Sequence, residues 1–210
     1  MTSPTVPVDP TAPTATEHIG ILLFDDVEEL DAVGPWEILS NWTLTYPQDG
    51  WTVSLVSKDG QPVRAAKGMV LGAHHSFADV PPMRVLIHPG GPGARILMRD
   101  EDHLAWVRGQ RATVPLVTSV CSGALVYATA GVLAGRPATT HWQSLELLHE
   151  LDPSIDVDST ARFVDDGDVI TSAGVSAGID MALHLVSRLA GANRARAVRR
   201  DVQYDPQPPI

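Results

Sequence analysis

Short, continuously apolar segments alternate along the chain with longer segments in which apolar residues recur at helical spacing. Residues 18–24, 85–88 and 116–120 are apolar at nearly every position, as is typical of parallel strands that are buried on both faces. Residues 51–57 alternate apolar and polar side chains like a further strand, and residues 69–73 predict a short one. Residues 162–171 predict a hairpin with Asp166-Gly167 as its turn.

Helical spacing predicts the elements between these strands. The predicted helices cover residues 32–41 with Pro35 in the first turn, 97–112 (at least from residue 101 onward), 123–130, 142–151 and 179–189. Asn193 caps a predicted last helix that ends near residue 202. Because strands alternate with helices, the pattern favours a doubly wound α/β sandwich with a mostly parallel sheet.

The first 17 residues differ from the rest. Prolines recur there at a regular spacing, and the segment lacks the basic start and apolar centre of a signal peptide. We expect residues 1–17 to form a flexible, Pro-rich tail. We expect residues 18–210 to form a single domain, since no strong linker interrupts residues 18–203.

Composition excludes several classes of function. The 210-residue chain carries a formal net charge of −10, whereas nucleic acids and anionic membranes select basic surfaces. No stretch is long and apolar enough to predict a membrane span. The single cysteine, Cys121, excludes an internal disulfide and argues against a structural zinc site, so we expect a cytoplasmic protein.

Cys121 is the strongest chemical signal. It follows the β-branched run 116–120 and precedes small residues that open a helical pattern, which predicts a nucleophile elbow of the Ser-x-Cys-x-Gly type. The N-terminus of the helix behind it would favour the thiolate. A buried core cysteine is the alternative, but the carboxyl end of a parallel sheet is where such folds bind ligands.

Other candidates are weaker alone. Gly90 and Gly91 either form a plain turn or offer backbone N–H groups to a developing negative charge, together with the N–H of Ser122. Beyond the first strand lie three carboxylates whose roles the spacing cannot separate, Glu28, Glu29 and Asp31. His141 is either a general base for Cys121 or a structural histidine.

Taken together, several blocks resemble the ThiJ/PfpI superfamily of class I glutamine amidotransferase-like proteins, and within it the isocyanide hydratases. The resemblance covers residues 18–210 and rests on the blocks Leu22-Leu23-Phe24, Leu30-Asp31-x-x-Gly34-Pro35, Pro89-Gly90-Gly91, Thr118 to Gly123, Ala138 to Trp142, Ser176 to Asp180, and Tyr204-x-Pro206-x-Pro208-Pro209. The block Thr139 to Trp142 also resembles the amidase-like sensor domains of some transcription regulators.

This resemblance implies a flavodoxin-like three-layer sandwich and a homodimer. It implies Cys121 as nucleophile, Asp31 as its carboxylic partner, and the N–H groups of Gly91 and Ser122 as anion-stabilising donors. From the sequence itself we expect Gly90, His141 and Trp142 to lie beside the substrate as well. Ser122 departs from the histidine that protease-like members carry after the cysteine, which argues against a peptidase.

The expected reaction is hydration of an isocyanide to an N-substituted formamide, without metal or organic cofactor. A thiolate beside a carboxylate raises the pKa values of both groups, so we expect Asp31 to be protonated and to titrate with Cys121 as a unit. The competing hypotheses are a cysteine-based redox or ligand sensor and a glyoxalase-like hydrolase of small carbonyl compounds.

Overall fold

The site is built on a central seven-stranded sheet in the structure, a computed structural model that describes residues 17–207. In chain order the strands are β1 (Glu17–Leu23), β2 (Trp51–Ser57), β3 (Val63–Arg64), β4 (Val70–Leu71), β5 (His75–Ser76), β6 (Val85–His88), β7 (Leu116–Val120), β8 (Pro137–Ala138), β9 (Asp156–Val157), β10 (Phe163–Asp165) and β11 (Val169–Ser172). The sheet order is β10-β11-β7-β6-β1-β2-β5, and β3-β4 and β8-β9 form two small separate pairs. All neighbours in the main sheet are parallel except β10 and β11.

Seven helices connect the strands of residues 17–207. They are α1 (Glu29–Thr45), α2 (Pro92–Leu97), α3 (Glu101–Thr113), α4 (Gly123–Thr129), α5 (Leu145–Leu151), α6 (Ala177–Ala190) and α7 (Ala192–Asp201). Short 3₁₀ turns lie at Pro47–Asp49 and Trp142–Ser144.

The sheet is buried on both faces, which explains why its central strands read as continuous apolar runs. Ile19, Ile21 and Leu23 of β1 face a core that α1, α6 and α7 complete, whereas Leu22 faces a second core beneath α2 to α5. Helices therefore cover both sides of a mostly parallel sheet, and the predicted three-layer sandwich is confirmed.

The parallel strands bring four loops to one edge of the sheet. In register, Val120 of β7 lies beside Ser172 of β11, and Ser119 lies beside His88 of β6. The segments that follow β1, β6, β7 and β11 therefore leave the sheet at the same edge. The chain passes from β1 to β2 on one side and returns to β6 on the other, so this edge contains a topological switch point.

Several predicted boundaries are wrong in detail. The helix predicted over 97–112 begins at Glu101, the residue from which its spacing was clear, because the Asp100 carboxylate accepts hydrogen bonds from the backbone N–H groups of Asp102 and His103. Leu97 instead ends α2. Helix α1 begins at Glu29, so Pro35 lies beyond its first turn. The last helix follows Gly191, which has a φ of 91°, and Asn193 is not its cap.

Two predictions fall partly outside the described residues. The predicted tail lies outside them apart from Glu17, which opens β1, and Pro208-Pro209 of the closing block also lies outside. Within residues 17–207, no helix has the length and apolar character needed to cross a membrane.

The junction of β7 and α4 depends on the absence of a side chain at Gly123. A Cβ atom there would lie 2.2 Å from the carbonyl oxygen of His88 and 2.8 Å from that of Pro89. The replacement Gly123→Ala should therefore lower the free energy of unfolding by about 1–3 kcal/mol, measured by urea denaturation. Gly109→Ala, in an exposed part of α3 with no atom near the added Cβ, should instead raise it by about 0.5–1 kcal/mol. Equal effects of the two variants would contradict this interpretation.

Candidate active site

Cys121 occupies a strained backbone turn between β7 and α4. Its φ is 56°, in the left-handed region that non-glycine residues rarely adopt. Its N–H donates to the carbonyl oxygens of Ser172 (3.1 Å) and Ala173 (3.2 Å), and its own carbonyl accepts from Thr140 Oγ1 (2.7 Å). The end of β11 and the segment after β8 therefore hold the elbow in place.

Asp31 reaches the same edge from the first turn of α1. Its side chain is fully buried. Oδ2 accepts a hydrogen bond from the N–H of Gly90 (3.0 Å), whereas no atom of residues 17–207 makes a hydrogen bond of ordinary geometry to Oδ1. The Cys121 thiol is close enough to this carboxyl for each group to shift the pKa of the other.

The neighbouring carboxylates have different partners. Glu28 pairs with the ammonium group of Lys67, and Glu29 accepts from the backbone N–H of Lys67 (2.6 Å). Asp31 is therefore the carboxyl group among these three that the structure brings to Cys121.

Burial dominates the protonation of the pair. It raises the pKa of Asp31 to about 7; the charge of Glu28 adds to this, and the Gly90 N–H opposes it. Burial and, second, the charge of Asp31 raise the pKa of Cys121 to about 12. The backbone N–H groups of Ser122 and Val175 oppose this rise, since they stabilise the thiolate. The sequence-based prediction that the setting of Cys121 favours the thiolate is therefore wrong for the free site. Near neutral pH the thiol and carboxyl share between one and two protons.

The two predicted anion-stabilising donors lie beside the elbow. The N–H of Ser122 interacts with the Cys121 sulfur. Gly91, with a φ of 115°, donates its N–H to Ser122 Oγ (2.9 Å), so a bound anion would have to replace that hydroxyl. The N–H of Gly90 is directed to Asp31 and is not available to substrate.

A cavity of about 300 Å³ opens above the sulfur. The residues that line it are Glu28, Gly91, Pro92, Arg95, Cys121, Ser122, His141, Gln143, Ser144 and Val175. His141 is thus in the site, but its Nδ1 accepts from the N–H of Gln143 (3.2 Å) and no hydrogen bond joins it to Cys121. Trp142 is 71% exposed and does not line this cavity.

Sequence reasoning missed three polar residues in the lining, Arg95, Gln143 and Ser144. Arg95 lies in α2, directly after the glycine loop, and its Nη2 donates to Ser144 Oγ (3.2 Å). The predicted start of a helix at residue 97 placed Arg95 in a loop, so nothing in the pattern directed it to the cavity. Among residues 17–207, no cluster of three His, Cys, Asp or Glu side chains is placed to hold a metal ion.

Comparison with known proteins agrees with the three-layer fold. The sequence model of the DJ-1/PfpI family matches residues 17–188. The chain is 41% identical to isonitrile hydratase of Pseudomonas putida over 193 residues, which are 92% of this chain and 81% of that relative. A ThiJ/PfpI family protein from Pseudomonas syringae has a crystal structure with a TM-score of 0.83 and 30% identity, over 99% of this chain and 84% of that one. The transcriptional regulator GbdR of Pseudomonas aeruginosa is 27% identical over 90% of this chain, a match that covers 51% of the regulator.

The buried carboxyl makes stability depend on pH. Because the pKa of Asp31 is raised from 3.8 to about 7, the folded protein binds more protons than the unfolded chain between these values, and stability is lost as pH rises through this window. In Asp31→Asn this loss is absent. The stability of the variant relative to the parent should therefore increase by up to about 1.4 kcal/mol per pH unit between pH 4 and 7.

Urea denaturation at several pH values measures this difference. The matched control is Asp26→Asn, which neutralises an exposed carboxylate where φ is 59°, a conformation that asparagine tolerates. A difference for Asp31→Asn that stays constant from pH 4 to 7 would show that burial does not hold this carboxyl in its protonated form.

Proposed function

The chain belongs to the DJ-1/PfpI family, and from this premise we propose that it hydrates isocyanides to N-substituted formamides. The observation that carries the proposal is the buried pair of the Cys121 thiol and the Asp31 carboxyl. The 41% identity to an isonitrile hydratase over most of both chains supports the same reaction class.

The chemistry of an isocyanide explains why an adjacent acid and thiol suit it. Its terminal carbon receives both the nucleophile and a proton, so the nucleophilic group and the proton-donating group must both reach the same atom. In the hydrolysis of an ester or amide, by contrast, the proton goes to a separate leaving group. A thiol whose neighbour is an acid, rather than an adjacent histidine, fits the first requirement.

The proposed first step adds Cys121 to the substrate. The thiol proton passes to the Asp31 carboxylate, the sulfur attacks the terminal carbon, and the Asp31 carboxyl protonates that carbon. The product is a thioimidate, in which the sulfur, one hydrogen and the substrate nitrogen are bound to the carbon. The pKa of Asp31 near 7 suits a group that both accepts and returns this proton at neutral pH.

The second stage releases the formamide. The Asp31 carboxylate takes a proton from water as the water oxygen adds to the thioimidate carbon, and it then protonates the substrate nitrogen. As the carbonyl forms, the carbon–sulfur bond breaks, the hydroxyl proton returns to Asp31, and Cys121 leaves as thiolate. In this proposal the N–H of Ser122 stabilises negative charge at the sulfur, and the N–H of Gly91 stabilises it at the oxygen once that oxygen replaces the Ser122 hydroxyl.

A sensor function is the second candidate, favoured by the identity to a transcriptional regulator. Oxidation of cysteine depends on thiolate character, and the raised pKa of Cys121 opposes it. A glyoxalase-like activity remains the third candidate. Intact-mass measurement after peroxide and conversion of methylglyoxal to lactate, in each case without isocyanide turnover, are the results that would favour these alternatives.

We also propose a homodimer and a cytoplasmic location. The homodimer rests on the family resemblance, and the location rests on the single cysteine of the chain. Light scattering at micromolar concentration tests the first proposal, because a monomer and a dimer differ twofold in mass.

The lining of the cavity narrows the proposed substrate class. Glu28 is paired with Lys67, whereas Arg95 has no carboxylate partner within residues 17–207 and is bonded to Ser144. A guanidinium group without a counter-ion attracts carboxylates. We therefore propose isocyanides that carry a small acidic group as preferred substrates.

Replacement of the two reacting groups tests the mechanism. Cys121→Ala should reduce formamide production to the uncatalysed background, and Asp31→Asn should lower kcat by at least about 100-fold because the proton donor is lost. The assay follows the loss of the isocyanide infrared stretch. Thr118→Val, which removes an unpartnered hydroxyl from the same strand as the elbow, should leave turnover unchanged. Turnover by the alanine variant at the parent rate would exclude covalent catalysis by Cys121.

Replacement of Arg95 tests the substrate class. Arg95→Met should lower kcat/KM for isocyanoacetate by about fivefold, as expected for an exposed ion pair, and leave its neutral methyl ester unaffected. Arg99→Met is the matched control, since Arg99 lies in the turn directly after α2 and does not line the cavity. Equal losses for the acid and the ester would rule out recognition of a carboxylate by Arg95.

A further inference from the structure

Two buried histidines lie behind the glycine loop and take no part in the proposed reaction. His88 ends β6 and is fully buried, and His103 on α3 is 5% exposed. Their rings meet edge to face with centroids 5.2 Å apart, and the ring of Tyr127 lies 5.6 Å from that of His88. Sequence reasoning had assigned no role to either histidine.

The hydrogen bonds of these histidines have only one possible direction. The carbonyl oxygen of Pro89 can only accept, so the His88 Nδ1 atom, 2.8 Å away, carries the hydrogen. Burial lowers the pKa of His88 to about 3 and that of His103 to about 4, so both rings are neutral at pH 7. The Nε2 of His88 is then an acceptor, and the Nε2–H of His103 donates to it at 3.0 Å.

The Pro89–Gly90 peptide group continues this chain to Asp31. Its carbonyl accepts from His88, and its N–H, on the opposite side of the trans peptide, donates to Asp31 Oδ2 at 3.0 Å. All three donors point toward the carboxyl. Hydrogen bonds aligned in one direction polarise each other. When the carbonyl of a peptide group accepts a hydrogen bond, the N–H of the same peptide group becomes a stronger donor.

We propose that His88 is a positioning residue for Asp31: it holds the Pro89–Gly90 peptide so that the Gly90 N–H remains bonded to the buried carboxyl. His103 fixes the tautomer of His88 that this role requires. We define the histidine relay as His103, His88 and the Pro89–Gly90 peptide. Its dipoles are aligned, and its last member, the Gly90 N–H, presents its positive end to Asp31 Oδ2. It stabilises the carboxylate form and opposes the effect of burial.

Other charged groups also act on the members of this chain. Asp31 faces the Cys121 thiol, the carboxylate of Glu28 and the ammonium group of Lys67, and His103 faces Asp100 and Lys58. None of these groups takes part in the relay. A variant of His88 therefore changes the Gly90 hydrogen bond without removing a charge from the site.

The test compares variants at His88 with a control at the neighbouring ring. His88→Leu removes the donor to Pro89, and His88→Asn restores it because the asparagine Nδ2 lies where the histidine Nδ1 does. Tyr127→Phe perturbs the same cluster, but the Tyr127 hydroxyl has no hydrogen-bond partner among the residues that the structure describes. If His88→Leu does not fold, His103→Leu removes the start of the relay and should cause a smaller shift in the same direction.

Two pH profiles measure the effect on Asp31. The first is kcat/KM for an isocyanide, which rests on the proposed function. The second is the alkylation rate of Cys121 by iodoacetamide, which needs no isocyanide, so failure of the proposed function does not affect it. In His88→Leu the lower midpoint of both profiles should move up by about one pH unit, as expected when a hydrogen bond to a charged group is weakened.

The controls decide between positioning and a purely structural role. His88→Asn should return the midpoint to that of the parent protein, and Tyr127→Phe should not move it. Unshifted alkylation midpoints in the leucine variants, or a midpoint for His88→Asn equal to that for His88→Leu, would overturn the proposal.

Discussion

The burial of the Asp31 carboxyl against the Cys121 thiol is the interaction on which the rest of the site depends. A carboxyl group removed from water resists ionisation, and its raised pKa makes it a proton donor at neutral pH. The same burial raises the pKa of the thiol, so Cys121 stays protonated until its proton can pass to its neighbour. The fold maintains this unfavourable arrangement because strongly packed elements on both faces of the sheet fix the residues around it.

The parallel sheet makes the pair possible. Asp31 follows β1 and Cys121 follows β7, which are separated in the sheet only by β6. The loop after β6 lies between them, and its residue Gly90 donates to the carboxyl while Gly91 contacts Ser122. Three segments that are distant in sequence thus meet because their strands run in one direction and end at one edge.

The sequence allows prediction of those features that depend on neighbouring residues. The continuous apolar strands and the elbow at Cys121 are local patterns, and both are present. The partner of Cys121 could not be chosen from the pattern, since Glu28, Glu29 and Asp31 are all carboxylates and differ only in where their side chains point around the start of a helix. Only the family resemblance favoured Asp31. The protonation of Cys121 was predicted wrongly because the helix behind it is visible in the sequence, whereas the extent of its burial is not. Arg95 escaped detection because it contacts Ser144, which is 49 positions away in the sequence. His88 escaped detection because it acts on Asp31 only through the Pro89–Gly90 peptide, to which it is hydrogen-bonded.

The close packing around Gly90 contrasts with the exposed rim of the cavity, and the two parts of the site differ in how freely their residues can be substituted. A Cβ at this position would lie 2.5 Å from the Ser122 nitrogen and 3.0 Å from Asp31 Oδ2, so the packing of the glycine loop against the elbow and Asp31 accepts almost no change. The rim, which includes Arg95 and Gln143, consists of exposed side chains that no such contact restricts. Substitutions at the rim can therefore alter what the cavity binds without disturbing the packing that holds the carboxyl against the thiol.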